Sequence, residues 1–261
     1  MTLPTTPKFS IITCTWNSEP YLEQSIASVL SQDYPEIEYI FVDGGSTDGT
    51  IERIQRIPRE VKFVTGIRGG ISLAMNEGLR LATGDIVAHL HSDDYYLHGG
   101  VLRTVADRMR ASGAQWLIGR WMEDRDGQVL PESYIVPHYS YKRLLKSNFI
   151  PHVATFVSKA LFDRVGGFDP QYKYAMDYDM WLRLGAVAEP VQVDDHLTVF
   201  RAHAGSLSTA NEMATLAEDF KVRMKHAGWA PRSALYHGAH YIVRRLRLAR
   251  RIAASGKKAG R

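Results

Sequence analysis

The chain has almost no cysteine. Cys14 is the only one in 261 residues, which excludes an internal disulfide framework and a cysteine-rich zinc site. No stretch approaches 18 uninterrupted apolar residues, so no transmembrane helix is predicted. The opening MTLPTTPKFS lacks the charged end and apolar core of a signal peptide, which predicts a cytoplasmic protein. Acidic residues are missing from the end of the chain, where none follows Asp219. From Glu212 to Arg261, 12 Lys and Arg stand against 3 Asp and Glu, while residues 1–210 hold the other 20 basic and 25 acidic side chains. The whole-chain charge of +4 therefore hides an acidic body and a basic end. A general nucleic-acid binder carries its basic face on the folded domain, so no nucleic-acid partner is expected. This asymmetry points instead to a surface contact, such as one with anionic lipid.

What is present is an ordinary globular composition, 45% hydrophobic and 23% charged, long enough for one large core plus a small appendage. The first half alternates β-branched apolar runs with helical spacing. Strands are predicted at Phe9–Cys14, Ile37–Val42, Val61–Thr65, Ile86–Leu90 and Trp116–Gly119. Helices are predicted at Glu19–Ser31, Thr47–Ile57, Ile71–Ala82 and Leu97–Ala111. That rhythm predicts an α/β protein with a mostly parallel sheet flanked by helices. After about Arg120 the rhythm breaks. Asp124–Gly127 reads as a hairpin turn between arms Arg120–Glu123 and Gln128–Leu130. Helices are expected at Tyr141–Ser147, Lys159–Val165 and Asp177–Ala188, and short strands at Val191–Val193 and Leu197–Arg201. Asn211–His226 and Ala230–Ala254 read as a helical end.

Ligands of open α/β sheets bind beyond the carboxyl ends of the strands. Those loops are the unusual parts of this sequence. One is Val42-Asp43-Gly44-Gly45-Ser46-Thr47-Asp48-Gly49-Thr50. Its Asp can accept from a base or a ribose, and its glycines let backbone approach a ligand; a plain strand–turn–helix connection uses the same residue types. It is neither a dinucleotide fingerprint nor a phosphate-binding P-loop, because neither spacing is present. Another is His91-Ser92-Asp93-Asp94-Tyr95. Adjacent carboxylates are tolerated best beside a cation, and oxygen ligands suit Mg²⁺ or Mn²⁺ shared with a diphosphate. The alternative is an acidic helix start, which the helix dipole favours.

Taken in order, Thr15-Trp16-Asn17, the Val-Asp-Gly-Gly-Ser-Thr-Asp-Gly-Thr loop, Gly70-Ile71-x-x-Ala74-Met75-Asn76-x-Gly78, Ala82-Thr83-Gly84-Asp85 and Ser92-Asp93-Asp94 strongly resemble the family 2 glycosyltransferases. The similarity continues through Pro151–Phe156, Val165–Asp169, Met176–Leu184 and Phe200–His203, so it covers roughly residues 8–208. It implies a GT-A fold and an inverting, nucleotide-sugar-dependent enzyme of the bacterial polysaccharide-biosynthesis type. Residues 1–210 would form that domain, with a nucleotide-binding half to about 119 and an acceptor-binding half over 120–210. Residues 211–261 would be an appended basic helical extension.

The resemblance places Thr13, Thr15, Trp16, Asn17, Asp43 and Gly44 around the nucleotide, with Arg68, Gly70, Asn76, His91 and Asp93 completing the donor side. It places Asp93, Asp94 and His203 at a divalent metal, Mn²⁺ or Mg²⁺. Asp177 becomes the general base that an inverting transferase needs, and a helix N-cap is the alternative for it. His152, Asp179, Trp181 and Arg183 fall on the acceptor side, with Asn148 beside His152. Five positions depart from the family pattern: Gly44 and His91 replace Asp, Arg68 and Leu73 stand where Asp is common, and Met176 replaces the Glu partner of Asp177. Gly44, His91 and Met176 keep open a degenerate module that binds nucleotide or glycan without turnover. A nucleotidyltransferase would need a glycine-rich basic loop after the first strand, which Thr15-Trp16-Asn17 is not. The implied partners are a nucleotide-diphosphate sugar and a saccharide or lipid-linked acceptor. In the tail, Leu235, Ala239, Ile242, Leu246 and Ala249 form a stripe among five arginines. It is either the packed face of a helix lying on the body or a contact that places the enzyme peripherally on the inner face of the membrane.

Overall fold

The computed structural model describes residues 3–202, 211–228 and 230–259. Nine strands form one mixed sheet, in the order β3-β2-β1-β4-β8-β6-β9-β5, with β7 paired to β6. Strands β1 (Phe9–Thr15), β2 (Ile37–Asp43), β3 (Lys62–Val64) and β4 (Ile86–His89) run parallel. Their connections are α1 (Glu19–Leu30), α2 (Thr50–Gln55) and α3 (Ile71–Leu81). All seven residues of β1 are buried, as expected for a strand covered on both faces. Helix α3 lies directly on it: a Cβ at Gly78 would come within 2.3 Å of Ile12 Cγ2, so only glycine permits this approach.

The second half is mixed in direction. A short edge strand β5 (Tyr95–Tyr96) precedes α4 (Val101–Ser112), which ends on the left-handed Gly113. Strand β6 (Trp116–Arg125) turns at Asp126-Gly127, both with positive φ, into β7 (Gln128–Pro131), the hairpin expected at Asp124–Gly127. After α5 (Tyr141–Leu144) and a 3₁₀ turn at His152–Ala154, β8 (Thr155–Ser158) inserts antiparallel between β4 and β6. Helices α6 (Lys159–Val165) and α7 (Met176–Gly185) follow, then β9 (Val191–Arg201), parallel to β6. The chain closes with α8 (Glu212–Ala227) and α9 (Pro231–Ala259). No helix among the described residues is long and apolar enough to cross a membrane.

Several elements differ from expectation. β6 does not stop at Gly119. That glycine lets Leu197 of β9 pack across the strand, since a Cβ there would sit 2.3 Å from Leu197 Cδ1. The two short strands expected at 191–201 are likewise one strand, with register shifts around Arg120. β5 and β8 were absent from the predicted set. Helix α2 starts three residues late, since Ser46, Thr47 and Asp48 are engaged in loop hydrogen bonds.

Candidate active site

The loops that follow β1, β2 and β4 close on one another at the carboxyl end of the sheet. Asp43, fully buried, organises them. Its Oδ1 accepts from Gly45 N (2.8 Å), Ser46 N (2.9 Å) and Thr65 Oγ1 (2.9 Å); its Oδ2 accepts from Thr15 Oγ1 (2.9 Å) and Ser46 Oγ (2.5 Å). Burial alone would raise its pKa, but these donors hold the carboxyl below its ordinary value. Asn17, in the left-handed region at φ 50°, donates its N–H to Ser46 Oγ and accepts from Thr47 N. Ser92 Oγ meets Ser18 Oγ at 2.9 Å, which ties the loop after β4 to the loop after β1. Thr15 and Asn17 thus build the crevice wall. Thr13 points away from it, donating to Leu90 O across β1 and β4.

On this frame two groups stand out toward solvent. Trp16 is 72% exposed, and its indole lies over Gly44, where a Cβ would be only 3.4 Å from the ring. The position is no core site, and any side chain at 44 would press against the indole. Arg68 lies against Gly45, with Nε and Nη2 at 3.6 Å from a Cβ built there. Gly66, Gly69 and Gly70, all at positive φ, shape the loop that carries it, and the space beside Gly70 is open. Asn76 does not face the crevice. Its amide donates to Phe168 O (2.8 Å) and accepts from Phe168 N (2.7 Å), locking the Gly166–Phe168 turn.

The loop after β4 separates its two carboxylates. Asp94 is buried and accepts from Arg201 N at 3.0 Å. Burial, with the Asp93 charge adding to it, pushes its pKa well above the ordinary range. Its inward position corrects the expectation that it stands beside Asp93 as a metal ligand. Asp93 is part-exposed. Its carbonyl accepts from Arg201 Nε, and Arg201 also pairs with Asp124 (3.0 Å), bonds Gln24 and lies over the Tyr21 and Tyr95 rings. Arg201 is thereby fixed as a cation at the loop. His91 stacks on His152, with ring centroids 5.0 Å apart and 17° between planes. Burial lowers the pKa of both rings, so each is neutral near pH 7. His203 lies outside the described residues.

The residues present fit a divalent ion held chiefly through phosphate oxygens. Mg²⁺ and Mn²⁺ sites of that kind need only one or two protein carboxylates, and the part-exposed Asp93 is the residue that would supply one. Among the described residues no three acidic, histidine or cysteine groups converge on a self-sufficient metal cage. A cavity of about 610 Å³ lined by Asp85, Arg110, Gln115 and Lys159 lies at the other, amino end of the strands and forms no part of this crevice.

Asp177 lies in the first turn of α7, the helix whose Trp181 ring meets His152, itself stacked on His91 of the loop after β4. The N-cap position is Ala175, so Asp177 is not the cap. Its Oδ2 accepts from Asn148 Nδ2 at 3.3 Å and its Oδ1 from Tyr178 N at 2.6 Å. Burial pushes its pKa up to about 6, against the opposing pull of those hydrogen bonds. Three other acceptor-side expectations are corrected. Asp179 is fully buried and pairs with Arg183 (2.8 Å), Lys225 (2.9 Å) and His226 (2.9 Å). Arg183 reaches on to the carbonyls of Val165, Gly166 and Gly167. Trp181, 2% exposed, stacks on Trp116 in the core. All three hold α7 in place rather than face a ligand. His152 stands between the halves, stacked on His91 and 5.5 Å from the Trp181 ring.

Sequence reasoning missed the part played by α8. Glu218 accepts from the N–H groups of Lys173, Tyr174 and Ala175 just ahead of α7, supplying the cap that α7 lacks. Asp219 is pushed up to about 7 by burial, with the nearby Asp177 charge adding to the shift. Arg223 is fully buried, donating to Lys146 O (3.0 Å) and facing His240 Nδ1 (2.8 Å). The signal was present: apart from Glu212, these two are the only acidic residues in a strongly basic tail.

The model of glycosyl transferase family 2 matches residues 10–165. Escherichia coli chondroitin synthase is 30% identical over 193 residues, 71% of this chain but only 28% of that protein. A glycosyltransferase of Mycobacterium tuberculosis (strain CDC 1551) is 29% identical, over 72% of both chains. Among solved structures, the mannosyltransferase PcManGT from Pyrobaculum calidifontis, in complex with GDP-Man and Mn²⁺, aligns over 92% of this chain and 72% of its own, with TM-score 0.69 at 20% identity. Staphylococcus aureus TarS 1–349 with UDP-GlcNAc aligns over 86% of this chain and 67% of its own, with TM-score 0.69 at 21% identity. The chain belongs to glycosyl transferase family 2 and carries the GT-A fold.

Proposed function

We propose that the protein transfers a sugar from a nucleotide-diphosphate-sugar donor to a hydroxyl of a saccharide or lipid-linked acceptor, with inversion at the anomeric carbon. Asp177 is the general base. The observation that carries this reading is the Asp177 environment: a half-buried carboxylate, oriented by Asn148 and with its pKa pushed up to about 6 by desolvation. A base poised near neutral pH removes a hydroxyl proton most effectively. Inverting transfer needs only one such group, whereas a glycosidase needs two. In the step proposed, the acceptor oxygen attacks the anomeric carbon, its proton passes to Asp177, and the bond to the leaving diphosphate breaks.

The donor side follows from the crevice of the β1, β2 and β4 loops. Trp16 offers its exposed indole face to the nucleobase. Arg68 reaches across Gly45 toward ribose or phosphate. Asp93 would be the residue that holds a divalent ion, and such an ion would supply charge neutralisation for the leaving diphosphate. Arg201, clamped by two tyrosines and Asp124, adds fixed positive charge on the same side. Complexes of similar structures with UDP-GlcNAc and GDP-Man support a nucleotide-sugar donor. The protein acts at the cytoplasmic face of an anionic membrane, on which α9 rests. Thermal stabilisation by a panel of UDP and GDP sugars with Mn²⁺ tests the donor assignment. A rise in Tm for at least one donor, smaller in Asp93→Asn, is expected; no rise with any donor contradicts it.

A further inference from the structure

A second crevice opens between α8 and α9. It is a cavity of about 430 Å³ whose lining includes Glu212, Thr215, Asp219, Arg244, Arg247 and Arg251. That size is within the usual range of small-ligand sites. Its charges are unbalanced. Arg251 pairs with Glu212, which leaves Asp219 as the one carboxylate facing Arg244 and Arg247. Asp219 is itself only partly ionised near neutral pH. Fully buried Arg223 adds its charge to the same region. Arg244 Nη1 and Arg223 Nε and Nη2 are buried without a hydrogen-bond partner. Buried guanidinium donors left unpaired are costly, and an anion in the cavity is the partner that would satisfy that of Arg244, which lines it.

The position of this cavity indicates whose anion it is. Glu218, the neighbour of Asp219, accepts from the N–H groups of Tyr174 and Ala175, two to three residues ahead of Asp177, so the stretch of α8 that lines the cavity is anchored at the start of the helix that carries the proposed base. We propose that the α8–α9 cavity binds a phosphate group carried by the acceptor, with Arg244 and Arg247 as its principal donors. This deepens the transferase reading, on which it rests, by assigning the acceptor a chemical class: a phosphorylated saccharide or a saccharide on a lipid phosphate. The phosphate would fix the acceptor so that its hydroxyl meets Asp177.

Binding of inorganic phosphate to the full chain in EDTA, followed as thermal stabilisation, tests this without any metal-held donor. The wild type is expected to be stabilised. Arg247→Gln, a solvent-facing change that keeps the fold, is expected to weaken binding about tenfold, the worth of one charge-assisted hydrogen bond. Arg244→Gln/Arg247→Gln weakens it further. Asp219→Asn removes a negative charge and tightens it, while Asp93→Asn leaves it unchanged. Vesicles of phosphatidylglycerol separate acceptor phosphate from bilayer phosphate: the double variant is expected to keep its vesicle binding. Three results overturn the proposal: no stabilisation of the wild type, equal phosphate binding by the arginine variants, or loss of vesicle binding in the double variant. The readout needs no turnover, so failure of the transferase reading would appear separately, as absent transfer beside intact phosphate binding.

Discussion

Asp43 is a fully buried acid and Asp177 a half-buried one, and their surroundings drive their pKa values in opposite directions. Five donors surround Asp43 and hold it ionised. Asp177 has two weakly compensating partners and titrates near 6. Pairs of groups pushed apart in this way divide structural and proton-transfer roles. Trp16 belongs to the same scale. An indole 72% exposed over a glycine makes few contacts of its own, so Trp16→Ala should leave stability nearly unchanged. It should weaken nucleotide binding by about 1 kcal/mol, roughly fivefold in Kd. Calorimetric titration with UDP and GDP checks this, and an unchanged Kd would remove Trp16 from the base site.

Helix α7 is held from outside its own sequence. Asp179 meets Arg183 on the same helix and Lys225 and His226 from α8. Asp179→Ala strands these cations around a buried site, so a loss of about 3 kcal/mol or more is expected in denaturant unfolding. A loss below about 1 kcal/mol would mean that α8 is not anchored there. At this scale the sequence was informative where chemistry is local. The β1 to β4 alternation, the Asp-Gly hairpin and the loops holding Asp43 and Asp93 were legible from spacing and turn residues. What was not legible depends on partners distant in sequence. Gly119 looks like a strand end until Leu197 is seen packed over it. Asp179, Trp181 and Arg183 look like site residues because they flank Asp177. Only α8 and Trp116 show that they are structural. Asn76 has the same lesson, since its partner Phe168 is 92 residues away.

Over the whole molecule, the basic end is no loose appendage. Its first helix caps α7 through Glu218. Its second helix turns Arg244, Leu248 and Arg251 toward α8. The stripe read from the sequence faces the other way: Leu235, Ile242 and Leu246 are 76%, 57% and 55% exposed. It is therefore not the surface by which α9 packs on the body. Exposed apolar residues flanked by Arg245 and Arg250 suit an anionic bilayer surface. Ile242→Glu/Leu246→Glu should abolish sedimentation with phosphatidylglycerol vesicles and leave Tm nearly unchanged. Wild-type binding should fall with rising salt. Unaltered vesicle binding in the variant would contradict the membrane contact.

The central claim is that Asp177 takes the acceptor proton, and the pH dependence of sugar transfer tests it most directly. A carboxyl raised to about 6 in the folded protein is ionised, and active, above that pH and loses activity as pH falls through it. Wild-type kcat/KM should therefore drop about tenfold per pH unit below about 6. Asp177→Asn should be slower by about 10² to 10⁴, show no inflection near that pH and still bind donor. Full turnover by Asp177→Asn, or the same inflection in both proteins, would contradict the account, as would a wild type that binds donor and transfers nothing.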